Sequence, residues 1–420
     1  NVLSGTTLTI DSGATITNSG TATGFGTTTV GGLTDVTMDA TNFTDSLCIQ
    51  VDSDGAAPTT GTLSSASNNL GIGKQVFRDL TSGAQNVLLG QAGENLTTGN
   101  SNVAIGFEAL QAATTQSQNV AIGDGAMQSG SPANSVAIGH NTMQADNTSA
   151  TNSVAVGAFA LDAVTTADDN VVVGYLAGTE VTTGGDNVIL GSGAGGAMTT
   201  SNNCIAIGKN AYDGAVAGCN SNIAIGSDAL GAVVTSAGGG EEGRNNVAVG
   251  HSSGDAVTSG YWNTFVGNGS GGAITTGYKN VHIGLNAGLG ITTGQSTIFI
   301  GPQAGDGHDT ESNNLGIGTN ALGGSVAGGE LNVCIGNATG AALTSADNCT
   351  FVGYGAGNAV TTADRSTCVG HNAGVAITTA DNNCVIGKDS GVALVDGSNN
   401  TFIGTYAGNR VVDGVGNVCI

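Results

Sequence analysis

Basic residues are scarce in this chain. Eight lysines and arginines stand against 31 aspartates and glutamates, for a formal net charge of −23. That balance repels phosphate backbones and anionic lipid surfaces, so nucleic acid is not an expected partner. Proline occurs only three times and aromatics make up 4% of the chain, too few large side chains to fill a thick core. Charged residues reach 9%, far below the roughly 25% of an ordinary globular domain. No apolar run approaches the roughly 18–20 residues that cross a bilayer, so no membrane insertion is expected. None of the eight cysteines (Cys48, Cys204, Cys219, Cys334, Cys349, Cys368, Cys384, Cys419) is spaced C-x-x-C. Zinc sites and disulfide frameworks want fixed pairs, so unpaired, buried thiols are expected.

Glycine is abundant, at 73 residues, and it is periodic. A glycine closing a V-x-I-G phrase falls at 73, 90, 106 and onward to 404, twenty times in all. The steps are 16, 17 or 18 residues, with one of 24 between Gly226 and Gly250, and NVCI at 417–420 opens a further copy. Positions below are counted from this glycine. Position −1 is always Ile, Val or Leu, and −3 is mostly aliphatic. Asn recurs at −4, small residues at +3, and an aliphatic-Thr-Thr run at +7 to +9 (Val181–Thr183, Ile274–Thr276, Ile291–Thr293, Val360–Thr362). Alternation along a strand puts −1 and −3 on one face. The pattern predicts two short strands per repeat, with −1 and −3 facing into a roll and the second-strand aliphatic opposite them. Seventeen residues are too few for a βαβ unit of about 30 but enough for one coil of a parallel β-solenoid. The fold class is therefore all-β, a parallel β-solenoid of about twenty 17-residue repeats. At ~4.8 Å per coil it is a rod about 95 Å long.

Position −2 should then point outward, yet it carries Val172, Ile189, Phe265, Phe299, Phe351 and Phe402. A strand apolar on both faces is buried on both, and a monomer would expose this stripe along its whole length. These six residues are the expected interface between copies associated about the rod axis.

The phrases NSVAIG (Asn134–Gly139) and NSVAVG (Asn152–Gly157) resemble the head repeats of trimeric autotransporter adhesins. The longer unit NVHIGLNAGLGITTG from Asn280 and the lead-in APTTGTLSSASNNLGIG (Ala57–Gly73) look more like repeats of bacteriophage tail-fibre proteins. The repeat here is longer than in the adhesin heads. The resemblance covers residues 57–420. It implies a homotrimer, side by side or intertwined, in an extracellular virion fibre whose partners are other tail proteins and a host cell-surface receptor.

Residues 1–56 lack the repeat and are expected to form an irregular β connector or shaft, with one strand in Phe43–Gly55. The β-solenoid repeat domain occupies 57–420 and carries an insertion at 236–243.

No catalytic constellation emerges, so neither an enzyme nor a cofactor is expected. His140, His251 and His371 each follow the repeat glycine at a turn, while His282 and His308 lie in other coils. Gly-x-Gly fragments lack the strand–loop–helix context of a phosphate loop. The −4 asparagines are expected to stack and hydrogen-bond from coil to coil. Asp347, Asp364 and Asp381 share one turn column in successive coils and are weak Ca²⁺ candidates, too few for an oxygen cage. Beside the insertion stand Tyr261, Trp262 (the only Trp), Tyr278 and Lys279. With Glu241 and Glu242 they are the candidate glycan contact, since binding residues favour loops on scaffolds.

The sequence is thus read as a structural and adhesive rod that presents or spaces a receptor-binding region for host attachment. The alternatives are a bacterial trimeric surface adhesin head and, from the Thr pairs on one side, an ice-binding solenoid. Gly130-Ser131 and Val395-Asp396 break that Thr ladder.

Overall fold

The computed structural model describes residues 36–40, 42–49, 63–130, 132–145, 149–214, 217–234, 240–324 and 328–420. From β4 (Leu70–Ile72) to β23 (Thr401–Ile403), each repeat contributes one three-residue strand at positions −3 to −1. Successive strands pair in parallel without offset, as Val103, Ala104 and Ile105 do with Val120, Ala121 and Ile122. The 24-residue step keeps the same register, Ile223 opposite Val247, so its extra residues are absorbed outside the sheet. The chain is a parallel β-solenoid of about twenty turns with no helix among the described residues, and β24 (Val418–Cys419) starts the last coil.

The sheet begins before the first repeat glycine. Strand β2 (Phe43–Ile49) pairs in parallel with β4, Leu47, Cys48 and Ile49 opposite Leu70, Gly71 and Ile72, and with β3 (Ala66–Ser67). On its other side β1 (Val36–Ala40) pairs antiparallel, which covers an edge that would otherwise present unpaired backbone. The expected connector therefore ends in a hairpin continuous with the roll; the rest of residues 1–62 falls largely outside the described residues.

The expected second strand is replaced by a run of turns. Left-handed backbone recurs at −5, +2 and +4, as at Asn203 (φ 58°), Asn210 (φ 52°) and Tyr212 (φ 55°). Even here coils are tied together: the Thr182 N–H and hydroxyl both donate to the Thr199 carbonyl, at 2.9 and 3.0 Å. The repeat glycine is obligatory. Gly157 has φ 136°, and a Cβ there would strike the carbonyl of Gly174 in the next coil.

Along each strand from β4 to β23 it is −2 that is buried, while −3 and −1 are half-buried or exposed. This reverses the expected facing. The cause is the asparagine column: −4 and −2 share a face, and the −4 amides are interior. Asn263, for example, donates through Nδ2 to Asn246 Oδ1 (3.0 Å) and to the Gly277 carbonyl (2.9 Å), while its Oδ1 accepts the Asn280 N–H (3.0 Å). The interior is a narrow column filled by positions −2, +3, +4 and +7. Ala155, Ala160, Leu161 and Val164 fill one coil, and Phe351, Ala356, Gly357 and Val360 another.

Candidate functional site

The six residues expected at an interface between copies, Val172, Ile189, Phe265, Phe299, Phe351 and Phe402, are fully buried inside their own chain. They are core residues, and that expectation is corrected. The apolar surface that the sheet does present is its outer face. Val103 and Ile105, Val120 and Ile122, Ile205 and Ile207, and Ile223 and Ile225 stand side by side there, half-buried. Val171, Val173, Ile283 and Ile298 are 37–40% exposed. Two aliphatic columns about 7 Å apart over about 95 Å give a strip of ~650 Å². That is above the largest apolar patch of an ordinary monomer. Thr264, Thr350, Thr367 and Thr401 interrupt only the −3 column, mostly in the last coils.

The aromatic residues beside the insertion do come together. Tyr261 and Tyr278 sit at −6 in adjacent coils, and Trp262 and Lys279 at −5, held by the Lys279 N–H on the Tyr261 carbonyl at 3.1 Å. The tyrosine rings stack at 4.7 Å and 3°, and Trp262 meets Tyr261 edge-on at 5.3 Å. Lys279 Nζ lies 5.3 Å from the Trp262 ring and 5.5 Å from that of Tyr278. Trp262 and Lys279 have φ of 58° and 60°, a conformation imposed by the scaffold at −5 throughout the rod. Arg244 precedes Tyr261 in the same column, its carbonyl accepting the Trp262 N–H at 3.1 Å. Glu241 is exposed and takes an Asn245 amide hydrogen at 3.4 Å, whereas Glu242 turns one unpartnered oxygen inward. The patch thus offers an exposed indole, stacked tyrosines and a cation, groups suited to the apolar face and hydroxyls of a sugar, while the two glutamates are engaged or turned inward.

Asp347, Asp364 and Asp381 do share a column, and backbone occupies their carboxylates. Asp347 accepts the Glu330 N–H, Asp364 that of Asp347, and Asp381 that of Asp364, at 2.7–2.9 Å. Arg365 reaches Asp364 and Asp381 at 3.7 and 3.8 Å, so a guanidinium supplies the local positive charge. Among the described residues no three His, Cys, Asp or Glu side chains form a metal-sized cluster. On the Thr edge, the first hydroxyl of most pairs is spent on the neighbouring coil, as from Thr97 to Thr114 (2.9 Å) and from Thr361 to Thr378 (3.1 Å).

One surface was not singled out from the sequence. Tyr354 and His371 stack at 5.3 Å and 16°, and Lys388 lies 5.5 Å from the Tyr406 ring, all along the turn just past the repeat glycine. The signal was available as aromatic and basic residues recurring at +1 and +2 in successive copies.

No family model matches this chain, and comparison with curated proteins returns no relative.

Proposed function

We propose that this chain is a rigid, non-enzymatic rod of an extracellular fibre, a virion tail fibre, which associates as a homotrimer and presents or spaces a receptor-binding region. The observation that carries this reading is the aliphatic outer face of the sheet, which runs in register from Leu70 to Ile403. A strip of ~650 Å² approaches the ≈ 800 Å² per partner of a stable interface once the flanking turn residues are included. Parallel, unbroken register suits association along the axis, because every coil offers the same groups to its counterpart. The virion setting rests on the resemblance of residues 57–420 to tail-fibre repeats. The patch of Tyr261, Trp262, Tyr278 and Lys279 is the proposed receptor contact, with a host surface saccharide as ligand.

Antibodies against the rod test the setting. The proposal expects them to decorate tails of intact virions in electron micrographs and to block adsorption to host cells. Decoration of a bacterial surface instead would support the adhesin alternative. The ice-binding alternative requires thermal hysteresis; the hydroxyls already bonded to backbone argue against it.

A further inference from the structure

The core of the coils around Phe299 differs in kind from the rest of the rod. Its −2 position before Phe299 is His282, fully buried, and its +7 position is His308, also fully buried, where other coils place Val181, Ile274 or Val360. Phe299 lies between the two imidazoles, 5.2 Å from His282 and 5.0 Å from His308. His282 Nε2 meets the Thr297 hydroxyl at 2.9 Å. Its Nδ1 has no partner, and the ring nitrogens of His308 make no well-formed hydrogen bond, the backbone of Leu322 being their polar neighbour. A neutral imidazole always carries one N–H, so His308 holds a buried donor with at best a poorly placed acceptor in the Leu322 backbone, an arrangement that costs stability.

We propose that the coils spanning residues 281–317 are a proton-triggered break point, at which mild acid opens the rod locally and divides it into two independently folded blocks. In a solenoid each coil touches only its neighbours, so stability is a sum of local terms and the weakest coil yields first. Burial holds His282 down at about 3 and His308 at about 4, against an ordinary 6.5. The open state therefore binds more protons between about pH 6.5 and 4, and local stability is present above this window and lost as pH falls through it.

The charged groups facing the pair do not cancel this. Glu311 and the Leu322 backbone favour the His308 cation but are outweighed by burial, and the Glu311 carboxylate is already held by the N–H groups of Asp309, Thr310 and Gly328 at 2.8–3.1 Å. Asp306 has its carboxyl raised by burial and so acts in the opposite sense, from the lower end of the window. Asp309 is exposed and takes the Thr292 hydroxyl.

Hydrogen exchange read by mass spectrometry on the full chain, at pH 7.5, 6.5, 5.5 and 4.5 and corrected for intrinsic rates, tests this. With two protons taken up, local opening grows by up to about a hundredfold per pH unit. Peptides within 281–317 should lose at least tenfold protection between pH 6.5 and 5.5, while coils 103–207 and 350–403 keep theirs. The variant His282→Phe/His308→Val uses side chains that neighbouring coils carry in the same columns, and it should abolish the selective loss. Equal protection of 281–317 at pH 7.5 and 4.5 in the unsubstituted chain would overturn the proposal, as would the same loss in a folded double variant.

Discussion

Phe351 and Gly357 are six residues apart in one coil, and a Cβ on Gly357 would lie 2.8 Å from the Phe351 ring. The same exchange runs through the rod. Where −2 is large, as at Val172, Ile189, Phe299, Cys368 or Phe402, position +4 is glycine (Gly178, Gly195, Gly305, Gly374, Gly408), and opposite Leu88, in a 16-residue step, the glycine is Gly93 at +3. Where −2 is Ala or Gly, as at Ala104, Ala121, Ala155, Ala224 or Gly316, position +4 is Leu110, Met127, Leu161, Leu230 or Leu322. Each coil holds one large side chain between these two columns, supplied from one side or the other. Ala248 and Gly254 break the rule, and the Phe265 ring and Leu230 from adjacent coils reach to within 2.7 and 3.1 Å of the Gly254 Cβ position.

A double-mutant cycle follows from that exchange. Phe351→Ala alone should cost about 3–5 kcal/mol through lost burial and a cavity. Gly357→Leu alone should also destabilise, because leucine meets the ring. The pair together should recover more than 1 kcal/mol relative to their sum in denaturant unfolding, since Leu110 and Leu161 occupy +4 with the same left-handed φ (56° and 54°). Additive costs would mean that the two columns do not share one space.

The asparagine ladder predicts a graded series at Asn263. Asn263→Ala leaves the Asn280 N–H and the Gly277 carbonyl unpartnered in the core and should cost about 2–4 kcal/mol. Asn263→Ser should cost less. Serine already serves this column, the Ser135 hydroxyl accepting the Ser153 N–H at 3.2 Å. Thermal unfolding of the two variants side by side gives the order.

The period, the strand positions and the asparagine ladder were all legible in the sequence, because each leaves one residue type in one column. The facing of the strand was not. Large aliphatics at −1 and −3 suggest an interior, but a coil this narrow holds one large side chain between −2 and +4, and only −2 of the three strand positions faces it. Two signals would have corrected the reading: the interior Asn at −4, which shares its face with −2, and the exchange between −2 and +4. The second strand was misread because left-handed turns at +2 and +4 are filled by Glu108, Phe159 or Leu161 as well as by Gly and Asn. The aromatic patch was legible because its four residues stand in two adjacent columns. Nothing in residue type marked His282 and His308 as core until the facing was known.

Thiol labelling separates inside from outside. Cys334 and Cys368 are fully buried, and burial raises their thiols far above the ordinary range. Cys349 is raised to about 11. Cys384, at −3 on the outer face, is half-buried. In the native chain Cys384 and Cys419 should alkylate first and the buried six only on unfolding, with self-association slowing Cys384 in particular. Rapid labelling of Cys334 in the folded protein would refute the facing described here.

Trp262 is 45% exposed and the only indole, so its emission reports directly on the proposed receptor contact. Titration with oligosaccharides released from the host surface should shift or quench that emission. Tyr278→Ala should weaken the midpoint severalfold while leaving the unfolding curve nearly unchanged. A saccharide that blocks adsorption yet leaves the emission untouched would place the receptor contact elsewhere.

The most direct test of the account is the mass of the assembled rod. Light scattering of the unsubstituted chain should give three times the 40.6 kDa chain mass. Ile207→Asp together with Ile225→Asp sets charges into the aliphatic face without touching the core. Thr183→Asp with Thr276→Asp places the same charges on the exposed Thr edge. The account predicts that the isoleucine pair falls to the mass of a single chain, still rich in β-structure, while the threonine pair keeps the trimer mass. An unsubstituted chain that is monomeric at micromolar concentration, or isoleucine variants that keep the trimer mass, would contradict it.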